Sequence, residues 1–427
     1  MQRCIWKRLE RNINNYCYNK SIFKGSDISQ DFFVHYHFIK GRDHMKLLHI
    51  SDLHLGKRVN EFSMIEDQEY ILTRIINIID EEKPDGLLIA GDVYDKSVPS
   101  EDAVRLLDEF LAKIAKRKLQ TFIISGNHDS AVKLSFASKI IDVSGIHISP
   151  VYNGEVKPIS LEDEYGKVNI YMLPFIKPVN VRAVFPDEEI ADYTDACRVA
   201  IDHMGVERNE RNVLVAHQFV TGAERSESEE ISVGGLDNVD AAVFDDFDYV
   251  ALGHIHGSQK IKRDTIRYSG TPLKYSFSEA RHHKSVTVVE IGEKEDADAS
   301  GNCVKLRTID LVPKHDMRQI RGTYLELTDK KNYENTAVDD YLHVTLTDEE
   351  DIMDAMAKLR LIYPNIMKLS YDNRRTQSTG GNFIEAEVEK KSPLELFEEF
   401  YEAQNNQPMS EEQREFTRKL IEEVWTK

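Results

Sequence analysis

MKLLHISDLHLG, residues 45–56, is the stretch whose reading decides the fold. Lys46 to Ile50 reads as a short buried β-strand, and it stops at Ser51-Asp52-Leu53-His54, where a carboxylate and an imidazole stand two residues apart. The same arrangement recurs four more times in a fixed order. Gly86 to Ala90 runs into Gly91-Asp92, Thr121 to Ile124 into Gly126-Asn127-His128-Asp129, Val213 to Ala216 into His217, and Tyr249 to Leu252 into Gly253-His254-Ile255-His256. Strand ends on one edge of an α/β sheet converge in space. The five clusters therefore pool Asp, Asn and His side chains, a donor set suited to two divalent ions and to hydrolysis of a phosphoester.

Between these strands the spacing of apolar residues predicts helices. Ile65 to Glu82 carries Ile65, Ile71, Leu72, Ile75, Ile76 and Ile79 at helical intervals, and Asp102 to Lys116 carries Val104, Leu107, Phe110, Leu111 and Ile114. Strands alternating with helices define an α/β sheet, to which Val168 to Met172 adds a further strand. After His256 the pattern turns all-β, with strands expected at Ile266 to Ser269, Ser285 to Ile291 and Val304 to Leu311, the last two joined by the acidic turn Gly292 to Asn302 and forming a second sheet. A small α+β unit follows, with strands at Thr323 to Leu327, Tyr341 to Leu346 and Ile366 to Tyr371 and a helix from Glu349 to Tyr363.

The polar run 374–391 reads as a linker, within which Phe383 to Val388 could also pair as a strand. Two amphipathic helices close the chain. Ser392-Pro393-Leu394-Glu395 is a capping box with Pro at the first helical position, ahead of Leu394, Phe397, Phe400 and Tyr401. Ser410 to Gln413 opens the second, ahead of Phe416, Leu420, Ile421, Val424 and Trp425. Such apolar stripes pack either on the preceding unit or on a partner's helices.

With 427 residues, 41% hydrophobic and 30% charged, the chain has the composition of a globular protein of two or three domains. No apolar run approaches the roughly 18–20 residues of a membrane span. A net charge of −19 excludes coating of nucleic acid by bulk attraction, so any such contact is local. Cys4, Cys17, Cys197 and Cys303 show no paired spacing, which argues against disulfides or a thiolate zinc site and for a reducing cytoplasm. Residues 1–44 stand apart, with eight Lys and Arg against four Asp and Glu and no periodicity. They read as an upstream extension outside the fold; the alternative, a mitochondrial presequence, is opposed by Glu10, Asp27 and Asp31.

Singly, Asp92 and Asn127 also suit turns. Together the clusters point to one site, with Asp92 as the carboxylate shared by two ions. Gly91, Gly126 and Gly253 let the chain turn off each strand without crowding it.

Asp52-x-His54, Gly91-Asp92, Gly126-Asn127-His128-Asp129, His217 and Gly253-His254-x-His256 resemble the motif series of the calcineurin-like metallophosphoesterases. From Met45 to about Asp310 the chain is similar to the SbcD family within them, on HISDLHLGK, GDVYD, SGNHD, ALGHIHG and the run YSGTPLKYSFSE at Tyr268 to Glu279. The resemblance implies a two-sheet α/β/β/α sandwich over 45–317, a capping domain over 318–373, the linker 374–391, and partner-binding helices over 392–427. It implies a DNA nuclease, double-strand exonuclease and single-strand endonuclease, acting in DNA repair and recombination. The implied cofactors are two divalent ions, Mn²⁺ or Mg²⁺, one held by Asp52, His54, Asp92 and His256 and the other by Asp92, Asn127, His217 and His254. His128 then stands over the scissile phosphate as hydrogen-bond donor or general acid, oriented by Asp129. The implied partners are DNA and an SMC-like ATPase of the SbcC kind docking on 392–427, with a homodimer formed in the region of the first two helices inside a heterotetramer. One position departs from the archaeal and eukaryotic relatives. Asp95 stands where they carry a histidine, which leaves it the role of orienting a neighbour. Two other readings remain at this point: a stand-alone phosphodiesterase or nucleotidase, and a non-catalytic scaffold, which the complete donor set disfavours.

Overall fold

The computed structural model describes residues 37–38, 44–227, 229, 237–294, 303–373, 392–405 and 408–425. All fall in the unit Tyr36–Lys427. The expected linker 374–391 and nearly all of the expected extension 1–44 lie outside the described residues.

Two sheets stack face to face. The first has the order Val304–Asp310, Ser285–Ile291, Met45–Ile50, Gly86–Ala90, Gln120–Ile124, Ile146–Ile148. The second has the order His37–Phe38, Ile159–Asp163, Gly166–Leu173, Arg211–His217, Tyr249–Gly253, Arg263–Tyr268, Gln259–Ile261. His37–Phe38 pairs with Leu161–Glu162, so a boundary at residue 44 cuts off a two-residue strand that sits on the sheet edge. Ser285–Ile291 pairs antiparallel with Met45–Ile50, which corrects the expected role of two late strands: Ser285–Ile291 and Val304–Asp310 extend the first sheet, whereas the strand expected at Ile266 to Ser269 lies in the second sheet as Arg263–Tyr268.

Three apolar layers hold this sandwich. Met45, Leu47, Leu88, Phe122, Val168, Ile170, Val213 and Tyr249 interdigitate between the sheets. Outside the first sheet lie the helices Ile65–Glu82 and Glu101–Arg117, which bury Ile71, Leu72, Ile75, Leu107, Phe110 and Ile114. Each ends where a lysine turns left-handed, Lys83 at φ 49° and Lys118 at φ 56°. Val104, expected on the inner face, is 46% exposed. The helix Tyr193–Asp202 covers the second sheet. The architecture is the α/β/β/α sandwich.

A three-stranded parallel sheet, Met317–Gly322, Tyr341–Leu346 and Ile366–Tyr371, follows with its own core of Leu342, Val344, Leu346, Leu359 and Ile366. Thr323 to Leu327, expected as a strand, is instead the start of a helix, Tyr324–Thr328, because Thr323 and Glu326 form a capping box there. The expected helix 349–363 is reduced to Ala355–Leu359, since Asp354 at φ 55° breaks helical geometry. The terminal helices Pro393–Asn405 and Glu411–Trp425 open as anticipated: Glu395 N donates to Ser392 Oγ and Gln413 N to Ser410 Oγ. Phe397, Phe400, Phe416 and Leu420 on them are exposed. Among the described residues no helix is long and apolar enough to cross a membrane, and Cys197 and Cys303 are unpaired.

One buried ion pair ties the two sheets where Arg211–His217 begins and Ser285–Ile291 ends. Arg211, 3% exposed, donates to both Asp163 oxygens at 2.5 and 2.9 Å and to the Gly166 carbonyl at 2.8 Å, and it reaches the Ile291 carbonyl of the other sheet at 3.5 Å. Asp163→Ala leaves this guanidinium buried without its acid, and chemical denaturation is expected to show a loss of about 3–5 kcal/mol; a loss under about 1 kcal/mol would show that the clamp is dispensable.

Candidate metal centre

Every residue of the five clusters sits just past or at the end of a strand, on the same edge of its sheet. Met45–Ile50, Gly86–Ala90 and Gln120–Ile124 run parallel and deliver Asp52, His54, Asp92, Asn127 and His128 from one sheet. Arg211–His217 and Tyr249–Gly253, also parallel, deliver His217, His254 and His256 from the other. The centre therefore straddles the mouth of the sandwich. Past the strands the backbones continue to pair, with Asp52 N donating to Gly91 O at 3.0 Å and His54 N to Asp92 O at 2.9 Å.

The backbone is strained here. Asp52, His54, Asp92 and His254 have φ of 53°, 44°, 47° and 104°, values that cost a non-glycine residue on the order of 1–3 kcal/mol each. Two glycines permit the approach of neighbouring chains. A Cβ on Gly253 would stand 1.8 Å from the Ala90 carbonyl oxygen, and one on Gly126 would stand 2.1 Å from Asp92 Oδ1.

Asp92 lies in the middle of the donors. Its Oδ2 is 3.3 Å from His217 Nε2, 3.8 Å from His54 Nε2 and 3.9 Å from His128 Nε2. To one side His54 Nε2 and His256 Nε2 are 3.2 Å apart, and Asp52, His54 and His256 bring donor atoms within 4.8 Å of one another. To the other, Asn127 Oδ1 is 3.0 Å from His217 Nε2 and 2.9 Å from His254 Nδ1. Asp52, Asp92 and His217 converge as a further trio. All seven residues expected as ligands are thus in one cluster.

The chemistry of this donor set fits divalent cations. His217 Nδ1 lies 2.8 Å from the Ala90 carbonyl, which only an N–H can answer, so Nε2 is the nitrogen turned toward Asn127 Oδ1 and Asp92 Oδ2, as an N–H while the ring is protonated and as a lone pair once a cation has displaced that proton. Two oxygens converge on this nitrogen, and a positive charge, the His217 proton or a metal ion, must lie among them. Burial would raise the Asp92 carboxyl, but the imidazoles of His217, His54 and His128 outweigh it and hold it well below the usual carboxylate range. Burial lifts Asp52 to about 6, with Asp92 adding to the rise and His217 opposing it. Burial keeps His54 and His254 well below their usual value, as neutral rings ready to ligate. Burial also opposes charge on His217, yet the Asp92 and Asp52 carboxylates overcome it and raise the ring to about 9.

A surrounding shell fixes these rings, and most of it lies outside the sequence motifs. Glu279 Oε1 is 3.5 Å from His256 Nδ1, Glu229 accepts from His256 N at 2.7 Å, and Lys284, ion-paired with Glu279, donates to the His256 carbonyl at 2.9 Å. Gln68, from the first helix, donates to the His54 carbonyl at 2.7 Å and to Tyr275 Oη at 3.0 Å. Of these, Glu279 and Tyr275 alone fall inside a motif, the run Tyr268 to Glu279. Asp95 Oδ1 stands 3.7 Å from His54 Nδ1 and pairs with Lys57 at 2.8 Å. Asp129 differs from expectation. It makes no hydrogen bond to the His128 ring; its carboxylate accepts from the backbone amides of Val93, Tyr94 and Gly126 at 2.9–3.0 Å, clamping the Asp92 loop to the Asn127 loop. The His128 ring is oriented instead by the Asp95 carbonyl, 3.1 Å from Nδ1.

The family described as "Calcineurin-like phosphoesterase" matches residues 45–258, and the one described as "Type 5 capsule protein repressor C-terminal domain" matches residues 313–405. The SbcD subunit of nuclease SbcCD from Staphylococcus epidermidis is 33% identical over 388 residues, 88% of this chain and 98% of the relative. That from Staphylococcus saprophyticus is 32% identical over 386 residues, 90% of this chain and 98% of the relative. The chain belongs to the SbcD family. As an SbcD-family member it carries the metallophosphoesterase fold with a site for divalent metals at the sandwich mouth.

Two tests follow from the geometry. Gly126→Ala drives a methyl into Asp92, so Mn²⁺ binding measured by calorimetry is expected to weaken at least about tenfold, the scale of a disturbed supporting shell; unchanged affinity would contradict the close approach. His217, raised to about 9, is protonated at pH 7, and a cation must displace that proton. Metal affinity should therefore rise with pH up to about 9, and titrations in buffers of differing ionisation heat at pH 7 should report release of about one proton per chain. Binding without proton release would count against His217 as a ligand.

Proposed function

We propose that this chain is the nuclease subunit of an ATP-driven DNA-processing complex, hydrolysing phosphodiesters at a centre of two divalent ions, Mn²⁺ in preference to Mg²⁺. The observation that carries the reading is the position of Asp92, within 4 Å of imidazoles on both sides of the cluster, as a carboxylate shared by two ions requires. One ion would be held by Asp52, His54, Asp92 and His256, the other by Asp92, Asn127, His217 and His254. When bound, such ions supply an activated water and neutralise charge on the phosphate.

The remaining work falls to His128. Its side chain is 15% exposed, whereas those of His54, His217 and His256 are 0–3% exposed, so it is the imidazole open to a substrate. With Nδ1–H donating to the Asp95 carbonyl, Nε2 is the nitrogen that faces the phosphate, and the doubly protonated ring is placed to donate from it to the developing charge or to protonate the leaving sugar oxygen. Asp129 supports this step indirectly, by locking the two loops that carry Asp92 and His128.

DNA is the favoured substrate because the likeness to the SbcD subunits of SbcCD nucleases runs over about nine-tenths of the chain, through the α+β unit and the terminal helices that a small-molecule hydrolase has no need of. In this reading the sandwich 45–317 is the catalytic domain, 318–373 caps access to it, and 392–427 docks an SMC-like ATPase through its exposed Phe397, Phe400, Phe416 and Leu420. Two copies join in a heterotetramer in the cytoplasm, with exonuclease action on duplex ends and endonuclease action on single strands.

The test is Mn²⁺-dependent cleavage of a single-stranded oligonucleotide by the purified chain. His128→Ala is expected to slow cleavage by about 10²–10⁴-fold while the metal content stays at the wild-type level. Cleavage at the wild-type rate would overturn the assignment.

A further inference from the structure

Beside the metal centre a second cavity, about 820 Å³, opens on the flank of the sandwich. Its size lies within the roughly 300–1,000 Å³ of ligand pockets. Gly257 and Ser258 in its wall directly follow His256. Arg225, also in its wall, lays its guanidinium 3.5 Å over the Phe219 ring, which in turn stands 6.3 Å from the His254 ring. Arg267 is the penultimate residue of a strand running parallel to Tyr249–Gly253, so it lies near the edge where the metal donors emerge.

The charges in this cavity are unevenly answered. Lys260 pairs with Asp264 at 2.5 Å, and Arg225 pairs with Asp237 at 3.1 and 3.2 Å. Glu224, also in the wall, holds Gln259 through its backbone amide and carbonyl, both at 2.8 Å. The Arg267 side chain makes no hydrogen bond or ion pair among the described residues, and its Nε is buried without a partner; Asp264, which feels its charge, is already held by Lys260. Arg225 Nε, Ser258 Oγ and His282 Nδ1, all in the same wall, are buried without a hydrogen-bond partner as well. Burial and nearby Lys284 pull His282 below its usual pKa, so it enters as a neutral hydrogen-bonding ring. A half-buried guanidinium with a hydroxyl and an imidazole beside it, none of them engaged, is a set of donors that fits an anion with several oxygens.

We propose that this cavity holds a backbone phosphate of the polynucleotide strand, one neighbouring the phosphate at the metal donors, with Arg267 as its cationic anchor. The proposal rests on the nuclease reading above. A chain of net charge −19 repels a polyanion over most of its surface, so strand binding must concentrate where a cation is unanswered. Arg267 is such a place, within a few residues of a metal ligand in space and joined to it through the wall of the cavity.

The test is anisotropy of a labelled single-stranded oligonucleotide on the full chain with Mn²⁺, in a His128→Ala background that prevents cutting. Arg267→Gln is expected to weaken binding at least about fivefold and to make the slope of log K against log salt shallower by about 0.7, the effect of losing one phosphate contact on a single strand. Arg267→Lys should keep that slope. Melting temperature and metal content are read on each variant, and His283→Glu, which adds a negative charge at the exposed rim, should weaken binding even if Arg267→Gln lowers stability. Parental affinity and salt slope in Arg267→Gln and His283→Glu, with the parent binding well, would overturn the pocket alone. A parent that binds no oligonucleotide at low salt would overturn the nuclease reading and the pocket with it.

Discussion

The structure depends on one electrostatic constraint: Asp92 is ionised in a buried cluster whose oxygens require a cation among them, the His217 proton or a metal ion in its place. Its carboxylate faces His54, His128 and His217, while Asn127 Oδ1 and His217 Nε2 face the same space. Acceptors gathered this closely in a low dielectric repel unless cations lie between them. The strained backbone at Asp52, His54, Asp92 and His254 is held against that repulsion by the rest of the molecule. The three-layer core, the Arg211–Asp163 clamp and the backbone pairing beyond the strand ends supply the rigidity.

The shell around the donors links the centre to distant parts of the chain. Glu279, which faces His256, sits in the turn Phe277–Arg281, and Gln319 of the following α+β unit donates to the Phe277 carbonyl at 3.0 Å. The Phe277 ring is 5.4 Å from that of His343 on the same unit. On the other flank Asp67 of the first helix accepts from Tyr341 Oη at 2.7 Å, one residue before Gln68 reaches the His54 loop. The α+β unit thus rests on both elements that hold metal donors in place.

Much of this is legible in the chain itself. The ligand clusters follow strands so cleanly because a parallel sheet must place its polar turn residues at one edge, and the helix Ile65–Glu82 has the bounds its periodicity gives. Thr323 to Leu327 misleads because a β-rich composition conceals a capping box, and 349–363 because one left-handed residue, Asp354, interrupts an otherwise helical pattern. Ser285–Ile291 and Val304–Asp310 belong to the first sheet against expectation, since pairing of Ser285–Ile291 with Met45–Ile50 joins segments far apart in sequence and leaves no local signal. The same holds for the supporting residues. Glu229, Gln68 and Lys284 contact the donors only through tertiary structure, and Asp129 lies beside His128 in sequence while its carboxylate turns away to three backbone amides.

On the proposed nuclease reading an acidic chain must confine attraction for a polyanion to a small region, and the cations that Asp92 would hold stand at its centre. The most direct test is the number of tightly bound divalent ions per chain, measured by elemental analysis and calorimetry on the wild type and on Asp92→Asn. Two ions in the wild type, and loss of both on removing the bridging charge with the fold intact, is the expected result. A single ion in the wild type, or two retained in Asp92→Asn, would contradict a centre built around Asp92.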